Sequence, residues 1–121
     1  SIITDIGYPC KNSIEHISDS DFLFLESNHD LEMLEQGPYP YYLKSWIKSN
    51  SGHLSNLQTA LCILEHGTPR LKNIVLSHLS QTNNTPQIAL STFSNLIKER
   101  FDLHPGISVS EREAPTQLFR I

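Results

Sequence analysis

An α/β fold is what these 121 residues predict, on three observations. Continuous apolar runs, Phe22-Leu23-Phe24-Leu25 and Leu71 to His78, have the length and character of strands covered on both faces. Between and after them, apolar residues recur at spacings of three and four, the period of a helix with one buried stripe. An acid and a histidine stand directly after apolar runs, Asp5 after Ile2-Ile3-Thr4 and His78 after Ile74-Val75-Leu76-Ser77. In open α/β sheets, ligand chemistry gathers at such positions, outside the carboxyl ends of strands.

Taken in order, Ser1 to Thr4 reads as the tail of a buried strand. Tyr8-Pro9-Cys10-Lys11 reads as a turn, after which Asn12 or Ser13 can cap a short helix carrying Ile14 and Ile17. The strand at 22–25 leads into the polar loop Ser27-Asn28-His29-Asp30, where Asp30 is placed to cap a helix with Leu31 and Leu34 that Gly37-Pro38 closes. A third helix follows Pro40, rich in aromatic residues, with Leu43 and Ile47 four apart. Ser55 caps a fourth helix over 56–66, on which Leu57, Ala60, Leu61 and Leu64 form a stripe before Gly67. Leu71 to His78 is the next strand. Thr85-Pro86 supplies an N-cap and a proline at the first helical position for a long helix bearing Ile88, Leu90, Phe93, Leu96, Ile97 and Phe101. Segments 106–110 and 118–121 read as short strands, so the expected order is β-α-β-α-α-α-β-α-β-β.

Composition narrows the function. Nine basic residues against thirteen acidic ones leave a net charge of -4, which argues against a protein that grips nucleic acid by bulk electrostatics. Cys10 and Cys62 stand far apart and form no C-x-x-C pair, as expected of free thiols in the reducing cytoplasm. No apolar run approaches the ~20 residues of a membrane span. A strand at the very start, with no initiator Met before it, carries the expectation of missing upstream chain that would pair with its edge.

Asp5, His53 and His78 are the ligand types of a catalytic zinc-like site, but they are spaced too widely for a zinc finger and would have to converge from separate loops. Taken singly, an Asp after a strand is more often a turn residue and a lone His more often hydrogen-bonded packing. The local words are more specific. Thr4-Asp5-Ile6-Gly7, Leu25-Glu26-Ser27-Asn28-His29-Asp30, Gly52-His53-Leu54-Ser55-Asn56 and Leu76-Ser77-His78-Leu79-Ser80, the last followed by Asn83-Asn84-Thr85-Pro86, occur in that order over almost the whole chain.

Together these words resemble the C-terminal half of a metallo-β-lactamase-fold hydrolase, closest to the YycJ/WalJ-type branch of bacterial exonucleases and more distantly ribonuclease Z. The resemblance implies that residues 1–121 are the C-terminal portion of one four-layer αββα sandwich domain whose N-terminal half is absent. It implies a two-metal site, zinc or manganese, with Asp5 as the bridging carboxylate and His78 as a ligand of the second ion. His53 matches a histidine that contacts the scissile phosphate or protonates the leaving group. His29, Ser55 and Asn84 fall to the substrate-facing edge. For His29 a backbone-bonding loop role stands level with that contact, and for Asn83 and Asn84 capping is the favoured role.

The family's principal ligand word, H-x-H-x-D-H, occurs nowhere in these residues. His16, His66 and His104 do not replace it, being placed at surface or capping positions. The fragment alone is therefore expected to bind metal weakly or not at all and to turn nothing over. The activity implied for the full-length parent is phosphodiester hydrolysis by a metal-activated water, with DNA preferred to RNA as substrate. The alternatives are a metallo-hydrolase of a small ester or thioester, and a binding or structural module without chemistry. Tyr39, Tyr41, Tyr42 and Trp46 beside Lys44 and Lys48 invite base stacking, yet helical spacing favours rings packed against the sheet. Lys98 and Arg100 are expected to favour the negative end of the long helix.

Overall fold

The computed structural model describes residues 1–110. Its elements are β1 Ile2–Ile3, α1 Lys11–Asp19, β2 Phe22–Glu26, α2 Leu31–Gln36, α3 Tyr41–Lys48, α4 Asn56–His66, β3 Asn73–Ser77, α5 Pro86–Ile97 and β4 Gly106–Val109. This is the expected order as far as it runs. The strand expected at 118–121 lies outside the described residues.

The four strands form one parallel sheet in the order β1-β2-β3-β4, with Ile3 opposite Leu25, Leu25 opposite Leu76 and Leu76 opposite Val109. In the connections between adjacent strands, α1 packs on α4 and α4 on α5, and these three helices cover one face of the sheet. There Ile3, Leu23, Leu25, Ile74 and Leu76 pack under Ile17 of α1, Ala60 and Ile63 of α4, and Ala89, Phe93 and Ile97 of α5. One helical layer on one sheet is the half of an αββα sandwich that the sequence implied.

The helix starts follow local chemistry. The Asp30 carboxylate accepts from the Met33 N–H, Ser55 and Gln58 form a reciprocal capping box, and Thr85 accepts from the Ile88 N–H just before Pro86. The first helix departs from expectation: it begins after Cys10, whose side chain makes no cap bond.

Three readings of burial and one of charge placement are corrected. Leu23 and Leu25 are buried, but Phe22 and Phe24, on the opposite sheet face, are only half-buried, so the run at 22–25 is fully covered on one face among the described residues. On α4 the buried positions are Asn56, Thr59, Ala60, Cys62 and Ile63, whereas Leu57 and Leu61 are 38% and 46% exposed. The stripe is turned because Asn56 and Thr59 serve polar partners beneath the helix. Helix α5 ends at Ile97 and leaves Phe101 exposed. Arg100 lies past that end, where its guanidinium donates to the Gly67 and Leu64 carbonyls at 2.6 and 3.2 Å and so caps α4 instead. Among the described residues no helix is long and apolar enough to cross a membrane.

Candidate metal centre

Three parallel strands end side by side, so whatever follows them is brought together. Asp5 comes two residues after β1, Glu26 is the last residue of β2, and His78 follows β3 directly. Asp5 and His78 both have left-handed backbones, with φ of 57° and 58°, a conformation uncommon for residues with a Cβ and concentrated at functional sites. His53 arrives from the loop before α4. Gly52 makes that approach possible, because a Cβ there would stand 2.1 Å from the Ile47 carbonyl oxygen and 2.4 Å from that of Trp46. Gly7, beyond Asp5, is pressed as closely on the same turn, where a Cβ would stand 2.3 Å from the Ser49 carbonyl oxygen.

Glu26 forms the floor. It is 0% exposed, and its carboxylate accepts from the backbone N–H groups of Asp5, Ile6 and Leu54 at 3.3, 3.3 and 3.2 Å. The same group faces Nδ1 of His53 at 2.9 Å and Nδ1 of His78. Both imidazoles thus turn Nδ1 toward this one carboxylate. Asp5 Oδ1 stands 3.8 Å from His53 Nδ1 and 3.6 Å from His78 Nδ1.

Ligand atoms of Asp5, Glu26, His53 and His78 all lie within 4.8 Å of one another. Imidazole and carboxylate donors without a thiolate fit a divalent metal ion. Glu26 either takes a place among them or, from the Nδ1 side, holds the two rings in orientation.

The structure thus unites Asp5, His53 and His78, which the sequence singled out, and adds Glu26, which it did not. The available signal was an acid closing the apolar run 22–25, the same position relative to a strand that marked His78. His29, Ser55 and Asn84 are not at the surface of the site. Ser55 is fully buried in its capping box. Asn84 is buried and donates to the Ser27 carbonyl and the Asn56 side chain, while Asn56 donates back to it at 2.9 Å. His29 is 1% exposed, its Nδ1 lies 3.3 Å from Asn28 Oδ1, and burial pushes its pKa down to about 4. Polar groups so enclosed present no face to a substrate. With Asn28, whose amide donates to the His78 carbonyl at 2.9 Å, they join the loops that carry the metal-type side chains.

The aromatic helix is also corrected. Tyr41 is 84% and Trp46 50% exposed, so these rings do not pack under the sheet. Trp46 meets His53 edge-on, ring centroids 5.9 Å apart. A cavity of about 350 Å³ is lined by His53 and His78 together with Tyr39, Leu43 and Trp46 and with Asn28, Ser80 and Thr82.

Comparison with known proteins finds sequence relatives. Over 100 residues the chain is 37% identical to exodeoxyribonuclease YycJ of Bacillus anthracis, an alignment covering 83% of this chain and 38% of that protein. Over 106 residues it is 36% identical to exodeoxyribonuclease WalJ of Streptococcus pneumoniae strains D39 and R6, covering 88% of this chain and 39% of theirs. The chain spans about two-fifths of the length of these curated relatives. No protein-family model and no solved structure matches it.

Proposed function

We propose, from the chain's homology to the exodeoxyribonucleases YycJ and WalJ, that it forms the C-terminal portion of a single metallo-β-lactamase-like domain that hydrolyses phosphodiester bonds in DNA. The observation that carries this reading is the convergence of Asp5, Glu26, His53 and His78 on one point outside the strand ends. Its setting is the reducing cytoplasm, which suits two cysteines that are both free thiols.

Asp5, through a carboxylate oxygen, and His78, through a ring nitrogen, are the residues that would hold divalent ions, zinc or manganese. Two such ions, when bound, supply a nucleophilic water at neutral pH and charge stabilisation for a phosphoryl group. Glu26 keeps both imidazole rings turned so that Nε2 lies on the side away from the floor. His53, less exposed than Asp5 and His78, lines the cavity and is positioned to contact the phosphate and give a proton to the leaving oxygen.

The test uses the full-length protein with labelled single-stranded and duplex DNA, and a thioester for comparison. DNA should be cleaved and the thioester left intact. His53→Ala should lower DNA turnover about a hundredfold or more while metal content, read by elemental analysis, stays near that of the unmutated protein. Equal loss of metal would place His53 among the ligands.

A further inference from the structure

Helix α3 presents the ring of Trp46 to the histidines, and both of its lysines are turned to Glu35. Trp46 is half in solvent and touches His53, and Tyr39 lines the same cavity. The lysines of that helix are engaged elsewhere: Lys44 donates to the Glu35 carbonyl at 2.7 Å, and Lys48 pairs with the Glu35 carboxylate. A groove that tracked the sugar-phosphate backbone would turn those amines toward the ligand. This one is lined by the rings of Tyr39 and Trp46 together with the polar residues Asn28, Ser80, Gln81 and Thr82. Aromatic faces and hydrogen-bonding side chains in one cavity are the complement of a heterocyclic base. The cavity, at about 350 Å³, falls at the small end of the ~300–1,000 Å³ of small-molecule sites.

We propose that this cavity is a nucleobase subsite, in which Trp46 and Tyr39 take the face of one base unstacked from its strand while the adjoining phosphate lies at His53 and His78. The proposal rests on the phosphodiesterase reading of the histidines and adds to it a substrate requirement: the nucleotide being processed must leave its duplex stack. Stacking, with no lysine in the wall, also explains how a chain of net charge -4 holds a polyanion locally, since aromatic platforms contribute affinity that does not depend on positive charge.

Trp46 is the chain's single tryptophan, so its indole N–H is one assigned resonance. The ¹⁵N-labelled chain is titrated with dAMP and, separately, with 2-deoxyribose 5-phosphate, which keeps the sugar and phosphate and lacks the base. dAMP should shift the Trp46 indole and the neighbouring Leu43, and the base-free phosphate should leave both in place. Trp46→Leu, which keeps apolar bulk without a ring, should weaken dAMP binding about fivefold or more, whereas Trp46→Phe should stay within about twofold of the unmutated chain. Equal shifts from both compounds, no shift from either, or undiminished dAMP binding by Trp46→Leu would overturn the subsite. The nuclease reading fails separately: dAMP bound at Trp46 together with no DNA cleavage by the full-length protein in zinc or manganese would sink that reading and leave the base subsite standing.

Discussion

At the amino ends of the strands, Arg70 reaches Asp21 at 2.6 Å with both side chains more than half exposed. At the carboxyl ends, Glu26 is fully buried and shared by three backbone N–H groups and two imidazoles. The contacts look alike on paper, yet their surroundings differ. Water competes for the first pair and screens it. The second group has lost its water and depends on donors from three separate loops, so it fixes those loops as firmly as they hold it. One end of the sheet is therefore tolerant of change, and the other concentrates both its polar chemistry and its vulnerability.

The sharpest way to break this contrast is Glu26→Ala. Removing the shared acceptor leaves several buried donors unpaired, and the expected loss is about 3–5 kcal/mol of unfolding free energy in urea titration. A loss near zero would show that solvent reaches the floor. Next in size is a pH effect. His29 has its pKa lowered to about 4 by burial, while in the unfolded chain it titrates near 6.5. Between those values the unfolded state binds the extra proton, so stability is complete above about pH 6.5 and is lost as pH falls toward about 4, by up to roughly 2–3 kcal/mol. Melting of His29→Gln and the unmutated chain, compared at pH 7 and 4.5, should show the smaller pH dependence in the variant. Least of all, Arg70→Ala should leave the melting temperature nearly unchanged, and a large drop there would erase the distinction between the two ends.

What was legible in the sequence was local. Asp30, Ser55 and Thr85-Pro86 start helices through bonds to residues three positions away, so four-letter words suffice to find them. Asp5 and His78 stood out because each follows an apolar run. Glu26 did not, because its burial depends on donors 20 to 52 residues away in the chain, and no local pattern distinguishes a strand-terminal acid facing solvent from one enclosed by loops. The same limit explains α4, where leucine spacing suggested one stripe while Asn56 and Thr59 turned another inward. It explains α3 as well: aromatic residues at helical spacing are usually core, and only the fold reveals that Trp46 lines a cavity while Tyr41 and Tyr42 stand in solvent.

Gly7 and Gly52 press the loop beyond Asp5 and the loop before His53 against the turn that ends α3, with no side chain between. The main chain that carries Asp5, the main chain that carries His53 and the end of the helix that carries Trp46 are therefore set against one another by direct backbone contact. Their side chains keep their own torsions, but the footings of all three share one frame. Alanine at either glycine would have to displace that frame, and would move the candidate metal site and the cavity wall together.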